Sequence, residues 1–120
     1  KADHTEAELY LTDDAEIVVA AYGATARVAK SAVNLARAEG IKAGLFRPIT
    51  LWPFPEKELN EASKNAKVIL DVEMSMGQMV EDVKLAINCS KPVEFYGRTG
   101  GVIPTPDEIL GQIKKCGGVE

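Results

Sequence analysis

With 120 residues, a formal net charge of −4, 46% hydrophobic residues and 6% aromatic ones, the chain is sized for a single domain, 1–120, with an aliphatic interior. A chain of this length hides roughly two thirds of its unfolded surface, so no disulfide or metal staple is required. Acids and bases are interspersed, which argues against a nucleic-acid partner, and no apolar run approaches the ~18 residues of a membrane span.

The first residues, 1–7, read as the tail of a preceding domain or as a cloning remnant. Glu8 to Leu11 fits either an edge strand or a lead-in helix, and Asp13-Asp14 reads as a solvated turn. Ile17 to Ala21 is a short β-branched run and predicts a buried strand. Tyr22-Gly23-Ala24-Thr25 then makes a tight turn, with the Thr25 hydroxyl expected to cap the next helix. That helix is predicted over Thr25 to Glu39, with Val28, Ala32, Leu35 and Ala36 on its inner face and Gly40 as its C′ residue.

A second strand is expected over Ile41 to Phe46, followed by the stretch Arg47-Pro48-Ile49-Thr50-Leu51-Trp52-Pro53-Phe54-Pro55. Its prolines bias Arg47, Trp52 and Phe54 toward extended geometry, so the loop loses less entropy on becoming ordered. Its apolar area serves either to cover the sheet edge or to dock a partner. Pro55 to Lys64 predicts a short helix with Leu59 and Ala62 inward. Val68 to Val72 and Val93 to Tyr96 predict two more strands, and Gly77 to Asn88 a helix aligning Met76, Val80, Val83 and Ile87. The last helix opens with Thr105 as N-cap, Pro106 at N1 and Glu108 at N3, a capping box. Strands alternating with helices imply a parallel sheet covered on both faces and joined by right-handed crossovers.

In such sheets ligands and partners gather outside the carboxyl ends of the strands, at the topological switch point. Tyr22-Gly23-Ala24-Thr25 lacks the spacing of a phosphate cradle. Glu73 ends a strand where a general base would sit, but it is read as having no second titrating partner nearby in sequence; a carboxylate bonded to neighbouring backbone or an arginine is the plainer expectation. Met74, Met76 and Met79 fall too close together to share one helical face, which favours core filling and a partner surface about equally. Arg98, inside Gly97-Arg98-Thr99-Gly100-Gly101, suits either an anion or an acid of its own domain. Cys89 and Cys116 have no companion ligands and His4 is the only histidine, so the four soft ligands of a zinc or iron–sulfur site are lacking in this sequence. A single bridge between the cysteines is allowed but not forced. No signal-peptide pattern is apparent, and a cytoplasmic setting with reduced thiols is expected. No nucleophile, base and orienter assemble, and no catalytic, cofactor-binding or metal residue is assigned.

One partial match is set aside. VILDVEMSMGQM superficially resembles the phosphoacceptor strand of receiver domains, with Asp71 as acceptor, but that chemistry needs an acidic pair where Ala20-Ala21-Tyr22 stand. GLFRPITLWPFPEKEL, VEMSMGQMVEDV and GRTGGVIPTPDEIL, in that order and spread over most of the chain, closely resemble the C-terminal domain of the α subunit of 2-oxoacid:ferredoxin oxidoreductases. The ketoisovalerate and 2-oxoglutarate branches are the nearer ones.

The resemblance implies a transketolase C-terminal-like fold: three layers, α/β/α, around a mostly parallel five-stranded sheet with one antiparallel edge strand. It favours the edge-strand reading of Glu8 to Leu11 and puts Ile17–Ala21 at the centre, with the switch point between Tyr22-Gly23 and Glu73-Met74. It implies oxidative decarboxylation of a 2-oxoacid with CoA to acyl-CoA and CO2, electrons passing to ferredoxin. Thiamine diphosphate, Mg²⁺ and iron–sulfur clusters are expected elsewhere in the complex and none in this chain, which alone is expected to be inactive. Its role is then to pack against other domains and subunits through Tyr22, Arg47, Trp52, Phe54, Met74, Met76, Gln78 and Arg98. The second reading is a free-standing α/β binding module with a small ligand or protein partner at the switch-point cleft.

Overall fold

The computed structural model describes residues 7–49, 55–73, 92–97 and 104–116. The predicted helix from Gly77 to Asn88 and the aromatic part of the proline-rich loop, Trp52 and Phe54, lie outside the described residues. The elements in chain order are β1 (Ala7–Tyr10), β2 (Ile17–Ala20), α1 (Ala24–Ala38), β3 (Ala43–Pro48), α2 (Glu56–Ala62), β4 (Val68–Glu73), β5 (Val93–Gly97) and α3 (Pro106–Cys116). They form one five-stranded sheet in the order β1-β3-β2-β4-β5. All neighbours are parallel except β1, which runs antiparallel along β3 from Ala7↔Pro48 to Tyr10↔Leu45. The edge-strand reading of the first segment is the correct one.

β2 and β4 are buried along their whole length, as central strands covered on both faces should be. Alternation sorts their side chains into two layers. Val19, Leu45, Leu70 and Val72 meet α1 and α3 on one face. Val18, Ala20, Phe46 and Ile69 meet Leu59 and Ala62 of α2 on the other. The molecule is therefore three layers thick.

Several local expectations shift. Helix α1 turns Ala26, Ala29, Ala32, Val33 and Ala36 inward, while Leu35 is 39% exposed. An alanine stripe lets the helix approach the sheet more closely than a leucine-centred face would, so the helix is rotated from the predicted orientation. Thr25 is buried one residue inside α1, and the N-cap position is Gly23, with no side-chain cap bond. β3 starts two residues later than expected because Ile41 still belongs to the helix end. Gly40 has φ +85°, its N–H bonds the Arg37 carbonyl, and the Ile41 N–H bonds that of Ala36, a complete Schellman stop. Pairing with β1 then carries β3 on to Pro48. The capping box of α3 is as predicted: the Thr105 N–H donates to Glu108 Oε1 at 2.8 Å and the Glu108 N–H to Thr105 Oγ1 at 3.1 Å.

At the amino edge of the sheet, Asp14 is not merely a solvated turn residue. Arg37 Nη2 donates to Asp14 Oδ1 at 2.7 Å and to the Leu11 carbonyl at 2.8 Å, and Arg37 Nε donates to the Ala43 carbonyl at 2.8 Å. One guanidinium thus ties the end of α1 to the β1–β2 turn and to the start of β3. The guanidinium bond holds the Asp14 carboxyl below its usual range. The turn is tight enough that a Cβ on Gly44 would meet the Leu11 carbonyl oxygen at 2.7 Å, and Leu11 itself has φ 57°.

Candidate functional site

The parallel strands β2 to β5 end at one edge, and the chain changes direction there. From β2 it crosses through α1 to β3 on one side; from β3 it crosses through α2, over the opposite face, to β4. The switch point therefore lies between the carboxyl ends of β2 and β4, where residues 22 and 23 leave β2 and Glu73 ends β4.

Of the eight predicted contact residues, Tyr22 and Arg47 are described; Trp52, Phe54, Met74, Met76, Gln78 and Arg98 lie outside the described residues. Tyr22 and Arg47 do not share a surface. Tyr22 is half-buried and packs against the α2-side layer of Ala20, Phe46 and Ile69. Arg47 lies on the opposite face, in a groove of about 600 Å³ lined by Glu8, Gly23, Ala26, Arg27, Lys30 and Arg47 among others. Here Glu8 accepts from Arg47 Nη1 at 2.8 Å and from Lys30 Nζ at 3.3 Å. Lys30 also lies 4.5 Å over the Tyr10 ring. The hydrogen bond from Arg47, and then that from Lys30, hold the Glu8 carboxyl below its usual range. With Arg27 exposed on the same wall, three cations answer one acid and the groove is net positive.

On the α2 side of the switch point is a pair the sequence reading did not assemble. Asp71 and Glu73 are two positions apart on β4 and so project from the same face, and their relative exposures are 0% and 1%. Glu73, read from the sequence as a strand-end carboxylate without a titrating neighbour, has one in Asp71. Pairing of Asp71 with Ala20 on β2 and Phe95 on β5 sets it in a row of uncharged residues. Among the described residues neither Asp71 oxygen has a hydrogen-bond donor facing it. Burial first, and then the adjacent Glu73, push the Asp71 carboxyl up to about 9. Burial, and then the charges of Glu73 and Asp71, likewise raise the Tyr22 phenol. The signal was present in the spacing Asp71-x-Glu73, which on any strand puts both carboxyls on one side.

Two further grooves among the described residues lie at the amino edge, of about 390 and 480 Å³, and share Lys67, Val68 and Cys116. The Cys116 thiol is free and is raised by burial and then by Glu94. Among the described residues no group of three or more His, Cys, Asp or Glu is placed to hold a metal ion, and no helix is long and apolar enough to cross a membrane.

Residues 15–109 match the family model of the pyruvate:ferredoxin oxidoreductase core domain II. The chain belongs to that family, as domain II of a 2-oxoacid:ferredoxin oxidoreductase α subunit. It is 50% identical over 111 residues to the ketoisovalerate oxidoreductase subunit VorB of Methanothermobacter marburgensis. That match covers 92% of this chain and 31% of VorB, so the chain spans about a third of the relative's length. Among solved structures, the 2-oxoglutarate:ferredoxin oxidoreductase of Magnetococcus marinus aligns with a TM-score of 0.78 at 23% identity, covering 94% of this chain and 20% of that one. A split-gene transketolase, an inactive β4 tetramer, aligns at 0.74 and 17% identity over 92% of this chain and 40% of that one. At such identities these two establish the fold, and they agree with the transketolase C-terminal-like architecture.

Thiamine diphosphate and its Mg²⁺ do not suit the described residues. The one acid of the carboxyl-edge groove, Glu8, is already bound by two cations, and Asp71 is fully buried in an apolar layer with its carboxyl pushed up by that burial, a poor setting for a metal ligand.

Proposed function

We propose that this domain packs within the α subunit of a thiamine-dependent 2-oxoacid:ferredoxin oxidoreductase and helps shape the complex without contributing a catalytic group. The complex would convert a 2-oxoacid and CoA to acyl-CoA and CO2, with electrons delivered to ferredoxin and the 2-oxoacid a branched one such as ketoisovalerate. The observation that carries this reading is the 50% identity with a ketoisovalerate oxidoreductase subunit across 92% of the chain. Thiamine diphosphate, Mg²⁺ and the iron–sulfur clusters then belong to other parts of the assembly. The contact residues are Tyr22, Arg47, Trp52, Phe54, Met74, Met76, Gln78 and Arg98. Because Tyr22 and Arg47 lie on opposite faces of the sheet, neighbours would engage the carboxyl edge from two sides.

Purification from native cells tests this. The expected result is co-elution with a thiamine-binding subunit and an iron–sulfur subunit, and 2-oxoacid-dependent reduction of ferredoxin by that fraction. Elution alone with a small molecule attached would replace the proposal with the free-standing binding module. Within the complex, Trp52→Ala is expected to weaken subunit association by about tenfold or more, in line with truncation of a buried aromatic anchor. It should leave the melting point of the chain within a few degrees of wild type. An equal loss of both would make Trp52 a core residue.

A further inference from the structure

We infer that the positive groove between α1 and the β1–β3 edge binds the phosphoryl group of a small molecule. Its walls bring three cations together: Arg47 from β3, and Arg27 and Lys30, three positions apart on one side of α1. Glu8 is their one acid among the described residues, standing opposite Arg47 on β1. It accepts from Arg47 Nη1 at 2.8 Å and from Lys30 Nζ at 3.3 Å, and so fixes where these two cations stand. Arg27 is exposed and, among the described residues, enters no ion pair.

Charge and donor capacity decide what fits. Three cations against one acid leave two positive charges in excess. A phosphoryl group carries about −1.5 to −2 at neutral pH and balances them, whereas a single carboxylate leaves one uncompensated. A guanidinium has five N–H donors and an ammonium three; Glu8 takes one from each, so most remain for the oxygens of a ligand. Gly23 and Ala24 line the same mouth, and no side chain caps the start of α1, so the positive end of the helix adds to the field. The volume of about 600 Å³ exceeds what a phosphoryl group fills and is typical of small-molecule clefts. Ala26 and Leu45 on its lining suit an apolar body for the rest of the ligand. Such binding needs only this chain and does not depend on the assembly proposed above.

The test is a titration of the chain with inorganic phosphate by ¹H–¹⁵N NMR, at constant ionic strength and about pH 8, where the second phosphate proton is off. Saturable shifts are expected at Gly23, Ala24, Arg27 and Arg47, half-complete at about 1–10 mM for so small a part of a ligand. Acetate, with one charge, should need at least about tenfold more. Arg27→Gln and Arg47→Gln should each raise the half-saturating concentration about fivefold or more, as loss of a charge-assisted bond does. Lys64→Gln, just beyond α2 on the other side of the sheet, should leave it unchanged. Because Arg27 is exposed, Arg27→Gln keeps the fold and decides the matter even if Arg47→Gln unfolds. Shifts that do not saturate, equal binding of acetate, or a response unaltered by Arg27→Gln would overturn the inference.

Discussion

The two edges of the sheet treat charge in opposite ways. At the amino edge, Arg37 meets Asp14 and two backbone carbonyls, so the guanidinium, the carboxylate and the turn are all satisfied at once. At the carboxyl edge, Asp71 is buried with no donor facing it among the described residues, and a positive groove stands on the other side of the sheet. Closed electrostatics at one edge serve to hold the fold. A buried carboxyl with no donor at the other costs stability, and the carboxyl edge is also where the switch point lies and where the proposed contact residues Tyr22 and Arg47 stand.

The largest effect should come from breaking the closed edge. Arg37→Met keeps the aliphatic stem but abandons the Leu11 and Ala43 carbonyls and Asp14. A loss of about 2 kcal/mol in urea unfolding is expected, since a part-buried bond from a charged donor contributes a net of roughly 1.5–3 kcal/mol, here to the Ala43 carbonyl, and the exposed bonds to Leu11 and Asp14 add little. A loss below about 1 kcal/mol would show that the amino edge does not depend on this clamp.

Next is Asp71→Asn at the open edge. The folded pKa of Asp71 is raised, so its contribution is complete below the unfolded value and is lost as pH rises toward about 9. Wild-type stability should therefore decline by up to about 1.4 kcal/mol per pH unit from the ordinary carboxylate range up to about pH 9 and level off above it, and the variant should be flatter across that window. The sign is opposite to the usual salt-bridged aspartate.

The smallest change is expected from Glu8→Gln in the groove. The folded pKa of Glu8 is lowered, so its stabilisation is present above the unfolded value and is lost as pH falls through the folded one. Its side chain is a third exposed, so solvent screening limits the loss to about 0.5 kcal/mol at neutral pH. Thermal melts at low and high salt should show that the small difference shrinks as salt rises. A loss above about 2 kcal/mol would make the groove a structural element as firm as the Arg37 clamp.

Much of the architecture was legible because it rests on local rules. The apolar runs at Ile17 and Val68 became the two fully buried strands, and Thr105 with Glu108 closed the predicted capping box. Gly40 stopped α1 as its position required. Misreadings arose where two local solutions were equivalent. Leu35 and the alanine stripe were both apolar faces of one helix, and only contact with the sheet and α3 chose the alanines. Thr25 is a good cap residue, but the positive φ of Gly23 put the helix start one residue earlier. The acid pair was hidden for another reason: Asp71 interrupts an apolar run, and a strand pattern read for hydrophobicity discounts the polar residue it contains.

By itself, the sequence determined the order of the described strands and helices from Ile17 onward, the Gly40 stop and the Thr105 capping box and, through three motif blocks, the family. These are properties of short segments, decided by backbone sterics, side-chain periodicity and residue identity. Only the tertiary structure decided that Arg37 reaches Leu11, that Tyr22 and Arg47 stand on opposite faces, and that Asp71 is sealed beside Glu73. Those outcomes depend on which elements lie next to one another and on how much water remains between them. A carboxyl group's charge follows from that remaining water, which no short segment of chain specifies.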